Sequence, residues 1–140
     1  MTDSDTPRVL QLRLVVEAED FDAALAFYRD ALGMPVEFDI AGEDGAHVVA
    51  LQAGRATLEL VNASQKRLID RLETGREGVA PKIRVAFEVA DTETATVRLA
   101  AAGAEVIAPP TKTPWNSLNA RLAGPAELQL TLFEELGEDE

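Results

Sequence analysis

Cysteine is absent from this 140-residue sequence, and histidine occurs only once, as His47. Without cysteine the chain has no disulfides, no thiolate metal ligands and no cysteine nucleophile. With one histidine it cannot form a two-histidine metal site within a single chain. We expect His47 to be a surface or packing residue, and the alternative is a role as a general base.

Long apolar runs, a secretory leader and phosphate-binding motifs are also missing. No apolar run approaches the roughly 18 residues that span a bilayer. Residues 1–7 are polar and acidic, unlike a secretory signal. Glycine-rich phosphate loops and dinucleotide fingerprints do not occur. We therefore expect a cytoplasmic protein without membrane contact.

Positive charge is scarce, because 13 Lys and Arg stand against 25 Asp and Glu, for a formal net charge of -12. This balance argues against nucleic acid as a partner, since phosphate binding needs a basic face. Seven of the acids lie in residues 1–7 and 134–140, where they are typical of solvated tails. The alternative is that the negative charge attracts a cationic ligand or partner.

Hydrophobic patterning in the first half predicts a strand, a helix and three further strands. Alternating apolar residues predict a strand over 9–18. Asp20 then caps a helix that Gly33 ends. The apolar face of this helix is expected in the core and consists of Phe21, Ala24, Leu25, Phe27, Tyr28 and Leu32. Strands are predicted over 35–40, 47–52 and 56–61, with turns between them.

The second half repeats this order after a connector. Within the connector, residues 64–72 predict a short amphipathic helix with Leu68 and Leu72 four residues apart. A strand over 82–89 precedes a helix that Asp91 caps and Gly103 ends. Further strands are predicted over 104–107, 115–122 and 128–133. The pair Pro109-Pro110 is predicted to break the chain.

An internal repeat relates the two halves. Equivalent positions are 70 to 72 residues apart: Arg13 and Arg84, Asp20 and Asp91, Gly33 and Gly103, Glu59 and Thr131. Each half predicts a β-α-β-β-β module whose sheet one helix cannot cover alone, so two modules must pair. The predicted fold class is α+β. The predicted parts are a flexible tail (1–7), a first module (8–63), a connector (64–80), a second module (81–134) and an acidic tail (135–140), all in one structural domain.

Several segments of both modules carry a family resemblance. The segment from Leu14 to Gly33 contains a strand, a capping Asp and a helix with Phe-Tyr-Arg and Leu-Gly. The second half contributes Phe87-Glu-Val-Ala-Asp91, Pro114-Trp115, Gly124-Pro125 and Leu130-Thr-Leu-Phe-Glu134. Together they resemble the vicinal oxygen chelate superfamily of glyoxalases, bleomycin resistance proteins and extradiol dioxygenases, over residues 8–134. The resemblance implies paired βαβββ modules with curved mixed sheets, a homodimer, and a ligand cavity in each half-barrel.

The resemblance also implies where a metal would bind. In the family's metalloenzymes the ligands come from the first and last strands of each module, and the matching positions here are Arg13, Glu59, Arg84 and Thr131. Only Glu59 offers a good metal ligand, because arginine stays protonated and has no lone pair to donate. We therefore expect no metal site and no cofactor.

Two interpretations of Arg13, Glu59 and Arg84 stay open. In one, they form a buried ion network that fills the former metal position. In the other, the second arginine binds an anionic or carbonyl group of a ligand, since guanidinium suits planar oxyanions. Trp115, the only tryptophan, is either a stacking wall for a planar ligand or a plug in the core or an interface.

The leading functional hypothesis is metal-independent binding of a small organic molecule in a concave cavity. This would be similar to the bleomycin resistance branch, which sequesters a drug without chemistry. One alternative is a superfamily enzyme (a lyase, isomerase or dioxygenase), with Glu59 as the catalytic base if no metal takes part. The other is a non-catalytic dimeric accessory protein.

Overall fold

The computed structural model describes residues 8–31 and 33–137. The predicted tail 1–7, Leu32 in the first helix, and residues 138–140 of the predicted acidic tail lie outside the described residues. The described chain divides into two compact units. The first unit is Arg13–Arg84, and the second joins the chain from Val85 onward with the residues up to Leu12. The unit boundaries therefore run through two strands rather than between modules.

Both halves contain the βαβββ order that the repeat predicts. The first half consists of β1 (Gln11–Glu17), α1 (Phe21–Leu25), β2 (Val36–Ala41), β3 (His47–Ala53) and β4 (Ala56–Val61). The connector contains α2 (Ala63–Thr74). The second half consists of β5 (Ile83–Glu88), α3 (Thr92–Ala101), β6 (Glu105–Lys112), β7 (Ser117–Ala123) and β8 (Gln129–Glu135). The predicted α+β class is confirmed.

Both predicted helix caps are present. The side chain of Asp20 accepts the N–H of Ala23 at 3.0 Å, at the start of α1. The side chain of Asp91 accepts the N–H of Thr94 at the same distance, at the start of α3. Each carboxylate satisfies a backbone donor that has no partner within its helix.

The sheet of the first unit runs in the order β2-β3-β4-β1. Strands β2, β3 and β4 pair antiparallel. On one face, Phe21 and Leu25 of α1 pack on a core of Val49, Leu51 and Leu60. On the other face, Val15, Val48 and Val61 form a smaller cluster against which Phe38 packs. Because strand side chains alternate, this second face also carries Arg13 and Glu59.

The sheet of the second unit is mixed, in the order β5-β8-β7-β6. Strand β5 pairs parallel with β8, and β7 pairs antiparallel with both β8 and β6. Helix α3 contributes Ala95 to a core that includes Ala120, Leu122 and Leu132. The opposite faces of β7 and β8 are therefore left for polar side chains.

The prediction for Phe27 was wrong, because 61% of this residue is exposed. Phe21 and Leu25 are buried, and Tyr28 packs partly against the same core. Phe27 is six positions after Phe21, which places it off the i, i+3, i+4, i+7 stripe. In addition, the helix continues past α1 as a π-helix over Ala26–Ala31.

Two predictions in the second half were also wrong. Strand β6 continues through Pro109-Pro110 instead of breaking there. It is the end strand of its unit, where proline is tolerated, and its register with β7 shifts on the N-terminal side of these prolines and again across them. Trp115 lies in the turn before β7 rather than in a strand.

Helix α2 is present, but its buried residues differ from the expected apolar stripe. The buried residues are Gln65, Asp70 and Glu73, while Leu68 and Leu72 are only half-buried. Asn62 caps the helix, and Gly75 ends it in the left-handed conformation at φ 80°. Helix α2 contacts β3 and β4. None of the helices within residues 8–31 and 33–137 is long and apolar enough to cross a membrane.

Candidate functional site

Three of the predicted site residues lie in the first unit. Arg13 on β1 and Glu59 on β4 project from the face opposite α1, and the guanidinium Nη1 of Arg13 is 3.9 Å from Oε1 of Glu59. The Arg13 guanidinium also lies over the ring of Phe38, 5.7 Å from its centroid. Arg84 on β5 is buried. This face of the first-unit sheet therefore carries two guanidinium groups and a carboxylate, beside the apolar cluster of Val15, Val48 and Val61.

Burial and neighbouring charges act in opposite directions on Glu59. Burial raises the pKa of this carboxyl above its ordinary value of 4.5, and the positive charges of Arg84 and Arg13 partly offset that rise. The carboxylate of Glu73 raises the pKa further. Only 14% of the Glu59 side chain is exposed, so water screens these effects weakly.

Glu73 is a site residue that the sequence did not reveal. It is buried on α2, a helix that packs on β4, the strand of Glu59. Gln65, Ile69 and Glu73 form an i, i+4, i+8 stripe, which was the available signal for this face. The stripe was overlooked because its end members are polar, whereas helix faces that pack on a sheet are normally apolar.

A second acid on α2 has a structural role. Oδ2 of Asp70 accepts the backbone N–H groups of Val79 and Ala80, at 3.0 and 3.1 Å. These bonds fix the chain that returns from α2 to β5. Beside them, Nζ of Lys66 lies 3.7 Å from Oε1 of Glu17, which ties the helix to β1. Polar groups therefore contribute to the attachment of α2 to the sheet.

Little room remains beneath α2. The cavity there has a volume of about 10 Å³, sufficient for about one water molecule. Its walls include Val15, Val61, Lys66, Ile69 and Arg84. An organic ligand cannot enter while α2 occupies this position.

Thr131 belongs to the second unit and lies beside a different arginine. It is buried on β8, and its register partner on β7 is Arg121. Arg121 is fully buried, and its Nη1 donates a hydrogen bond to Oε1 of Gln129 at 2.9 Å. Arg121 was not predicted as a site residue, because burial of a strand arginine depends on the tertiary structure.

The remaining candidates lie outside these clusters. Trp115 is 49% exposed in its turn, so it is not a core plug, and its roles as a stacking wall or interface residue stay predictions. His47 has the expected packing position, with its ring centroid 4.8 Å from that of Phe21. Its Nε2 is 2.6 Å from Oδ1 of Asp39. It borders an open depression of about 600 Å³ whose other lining residues include Glu19 and Asp20.

Comparisons with known proteins identify the family of the chain. The family model described as "Glyoxalase/Bleomycin resistance protein/Dioxygenase superfamily" matches residues 11–132. The chain belongs to this superfamily. No match was found among the curated proteins.

Several solved structures share the fold at low sequence identity. A superfamily member from Vibrio splendidus 12B01 is 14% identical, with a TM-score of 0.61, over 92% of this chain and 99% of that one. Methylmalonyl-CoA epimerase from Mycobacterium tuberculosis is 20% identical, with a TM-score of 0.60, over 92% and 88%. A hypothetical protein from Bacillus halodurans C-125 is 16% identical, with a TM-score of 0.64, over 96% and 99%. At these identities the comparison establishes the fold alone.

The residues at the superfamily's metal positions do not fit a divalent cation. Arg13 and Arg84 are cations without a lone pair, and Thr131 is a weak neutral ligand. Glu59, the one suitable donor, lies against Arg13. Within residues 8–31 and 33–137, no group of three or more His, Cys, Asp or Glu side chains is arranged to hold a metal ion. In the first unit, the two guanidinium groups instead suit an anion.

Proposed function

We propose that this superfamily member binds a small organic molecule without a metal and without chemical turnover. The observation that carries the proposal is the engagement of Glu59 by Arg13, with Arg84 and Glu73 acting on the same carboxyl. A carboxylate shared among guanidinium groups is a poor metal ligand, because a divalent cation would have to enter beside two positive charges. The same guanidinium groups suit a ligand that carries an oxyanion.

Ligand binding to metal-free protein tests this proposal. The protein is purified with EDTA, and its metal content is measured by mass spectrometry. A library of small organic molecules is then screened by thermal denaturation. We expect compounds that raise the melting temperature equally with and without added Zn²⁺, Mn²⁺ or Ni²⁺. A compound that binds only when metal is restored would contradict the proposal.

A metal-free enzyme is the second candidate, and the raised pKa of Glu59 favours it. A carboxyl whose pKa is raised toward the working pH is a stronger base than an ordinary one. In this case Glu59 would take a proton from a bound substrate, with Arg13 stabilising the resulting negative charge. Turnover of a library ligand, lost in Glu59→Gln while binding persists, would favour this candidate over binding alone.

We also propose that the protein forms a homodimer. Several large apolar side chains are exposed in the described chain, among them Phe27, Ile40, Val97 and Trp115. Contact with a second copy of the chain would remove such side chains from water, which favours association. Light scattering after size exclusion should give twice the monomer mass of 15.1 kDa. A monomer mass at micromolar concentration would contradict the dimer and leave the binding proposal intact.

A further inference from the structure

One buried polar atom lies next to the first-unit cluster without a partner. Thr57 comes two residues before Glu59 on β4, so both side chains project from the same face, about 7 Å apart. Thr57 is 5% exposed, and its Oγ1 is the one buried side-chain oxygen or nitrogen in residues 8–31 and 33–137 that makes no hydrogen bond. An unpaired buried hydroxyl destabilises a fold unless something else supplies its hydrogen bond.

The charges in the cluster balance only because α2 is present. The strands contribute Arg13, Arg84 and Glu59, which leave one positive charge in excess. Glu73 on α2 supplies the balancing negative charge. An anionic ligand at this cluster would supply the same charge.

Helix α2 and the loop that follows it are bonded to each other. Nη1 of Arg71 lies 2.6 Å from Oε2 of Glu77, and Asp70 accepts two backbone N–H groups of the same loop. These contacts persist if the helix shifts away from the sheet. The contacts to the sheet include the Lys66–Glu17 pair, which water or a ligand can replace. The segment 63–80 can therefore move as one body.

We propose that the site binds an organic monocarboxylate whose carboxylate replaces that of Glu73 in the cluster, with Thr57 hydrogen-bonding a second ligand oxygen. This inference rests on the proposed binding function. A monoanion restores the charge balance one for one, whereas phosphate, with more than one negative charge on average at neutral pH, exceeds it. The apolar part of the ligand packs on Val15, Val61 and Phe38, which share this face.

A charge-matched pair of variants tests the replacement of Glu73. Glu73→Gln removes the internal carboxylate, and Glu77→Gln removes an equal charge from the exposed partner of Arg71. Benzoate binding is measured by titration calorimetry at constant ionic strength. We expect Glu73→Gln to bind benzoate about tenfold more tightly than the wild type, because the competing internal anion is gone. Glu77→Gln should match the wild type.

Equal benzoate affinity in the two variants would overturn the inference. Tighter binding of inorganic phosphate than of benzoate by Glu73→Gln would overturn the assignment to monocarboxylates. If Glu73→Gln does not fold, Glu73→Met, which keeps the bulk and removes the charge, gives the same comparison.

A second probe tests Thr57. In the Glu73→Gln background, 4-hydroxybenzoate should bind about fivefold more tightly than benzoate, the gain of one hydrogen bond. Adding Thr57→Val should abolish that difference and leave benzoate affinity unchanged. A difference that survives Thr57→Val would remove Thr57 from the site.

Failure of this inference can be distinguished from failure of the proposed function. If the library yields a neutral ligand while benzoate does not bind Glu73→Gln, the carboxylate assignment is wrong and the binding function stands. If neither the library nor the carboxylates bind any variant, both are wrong.

Discussion

Nη1 of Arg13 lies 3.9 Å from Oε1 of Glu59, at two positions where the family resemblance implies metal ligands. Both side chains are mostly buried, and Arg84 and Glu73 complete a cluster without net charge. The chain keeps the superfamily fold, and at this position it pairs a guanidinium group with a carboxylate.

Removing one member of this pair should destabilise the protein. Arg13→Met leaves Glu59 with less compensation, and we expect the free energy of unfolding in urea to fall by about 1–3 kcal/mol. The control is Lys82→Met, whose Nζ lies 3.0 Å from Oε1 of the highly exposed Glu19. Water screens this exposed pair, so Lys82→Met should change the free energy of unfolding little. Equal losses in the two variants would show that the Arg13–Glu59 pair is no stronger than a surface pair.

The free energy of unfolding should change with pH in the direction set by the raised pKa of Glu59. Its pKa in the folded protein is raised above 4.5, so the folded state holds this proton to higher pH than the unfolded state. In the wild type, the contribution of Glu59 to the free energy of unfolding is therefore fully present below pH 4.5. It is lost as the pH rises through the pKa that Glu59 has in the folded protein. Relative to the wild type, Glu59→Gln should become more stable as the pH rises above 4.5, measured by urea unfolding at several pH values.

Asp91 provides a control of opposite sign. Its pKa is lowered from 3.8, chiefly because the carboxylate accepts the backbone N–H of Thr94. Its contribution is present above pH 3.8 and is lost as the pH falls through the folded pKa. Relative to the wild type, Asp91→Asn should gain stability as the pH falls. If the stability of both variants, relative to the wild type, changed with pH in the same direction, the burial explanation for Glu59 would be contradicted.

The unpaired hydroxyl of Thr57 predicts an unusual substitution. Thr57→Val replaces the hydroxyl with a methyl group of similar size, and we expect thermal unfolding to show a gain of about 1 kcal/mol. Thr96 is the control, because its equally buried Oγ1 donates a 2.7 Å hydrogen bond to the carbonyl of Thr92. Thr96→Val should lose about 1 kcal/mol. A loss in Thr57→Val would mean that its hydroxyl has a partner in solution.

The fold followed from the sequence because its signals are local. Alternating side chains and capping residues such as Asp20 and Asp91 depend on a few neighbouring positions. The error at Pro109-Pro110 arose because tolerance of proline depends on whether a strand lies at a sheet edge. Phe27 was misplaced because counting apolar residues ignored their angular positions on the helix.

The site was only partly predictable. Arg13, Glu59 and Arg84 came from matching positions to the family resemblance, and the first unit does contain all three. Glu73 was not found, since the connector has no equivalent in the repeat and its helix buries polar groups. That the Thr57 hydroxyl makes no hydrogen bond could not be predicted either, because the partners available to a side chain depend on the folded chain.

Calorimetric titration of Zn²⁺, Mn²⁺ and Ni²⁺ into EDTA-treated protein tests the central claim most directly. Wild type and Glu59→Gln are measured side by side, so that weak binding by acids elsewhere in the chain appears in both. We predict superimposable isotherms, because Glu59 is committed to Arg13 and its arginine neighbourhood repels a divalent ion. A one-to-one binding site in the wild type that Glu59→Gln abolishes would contradict the account.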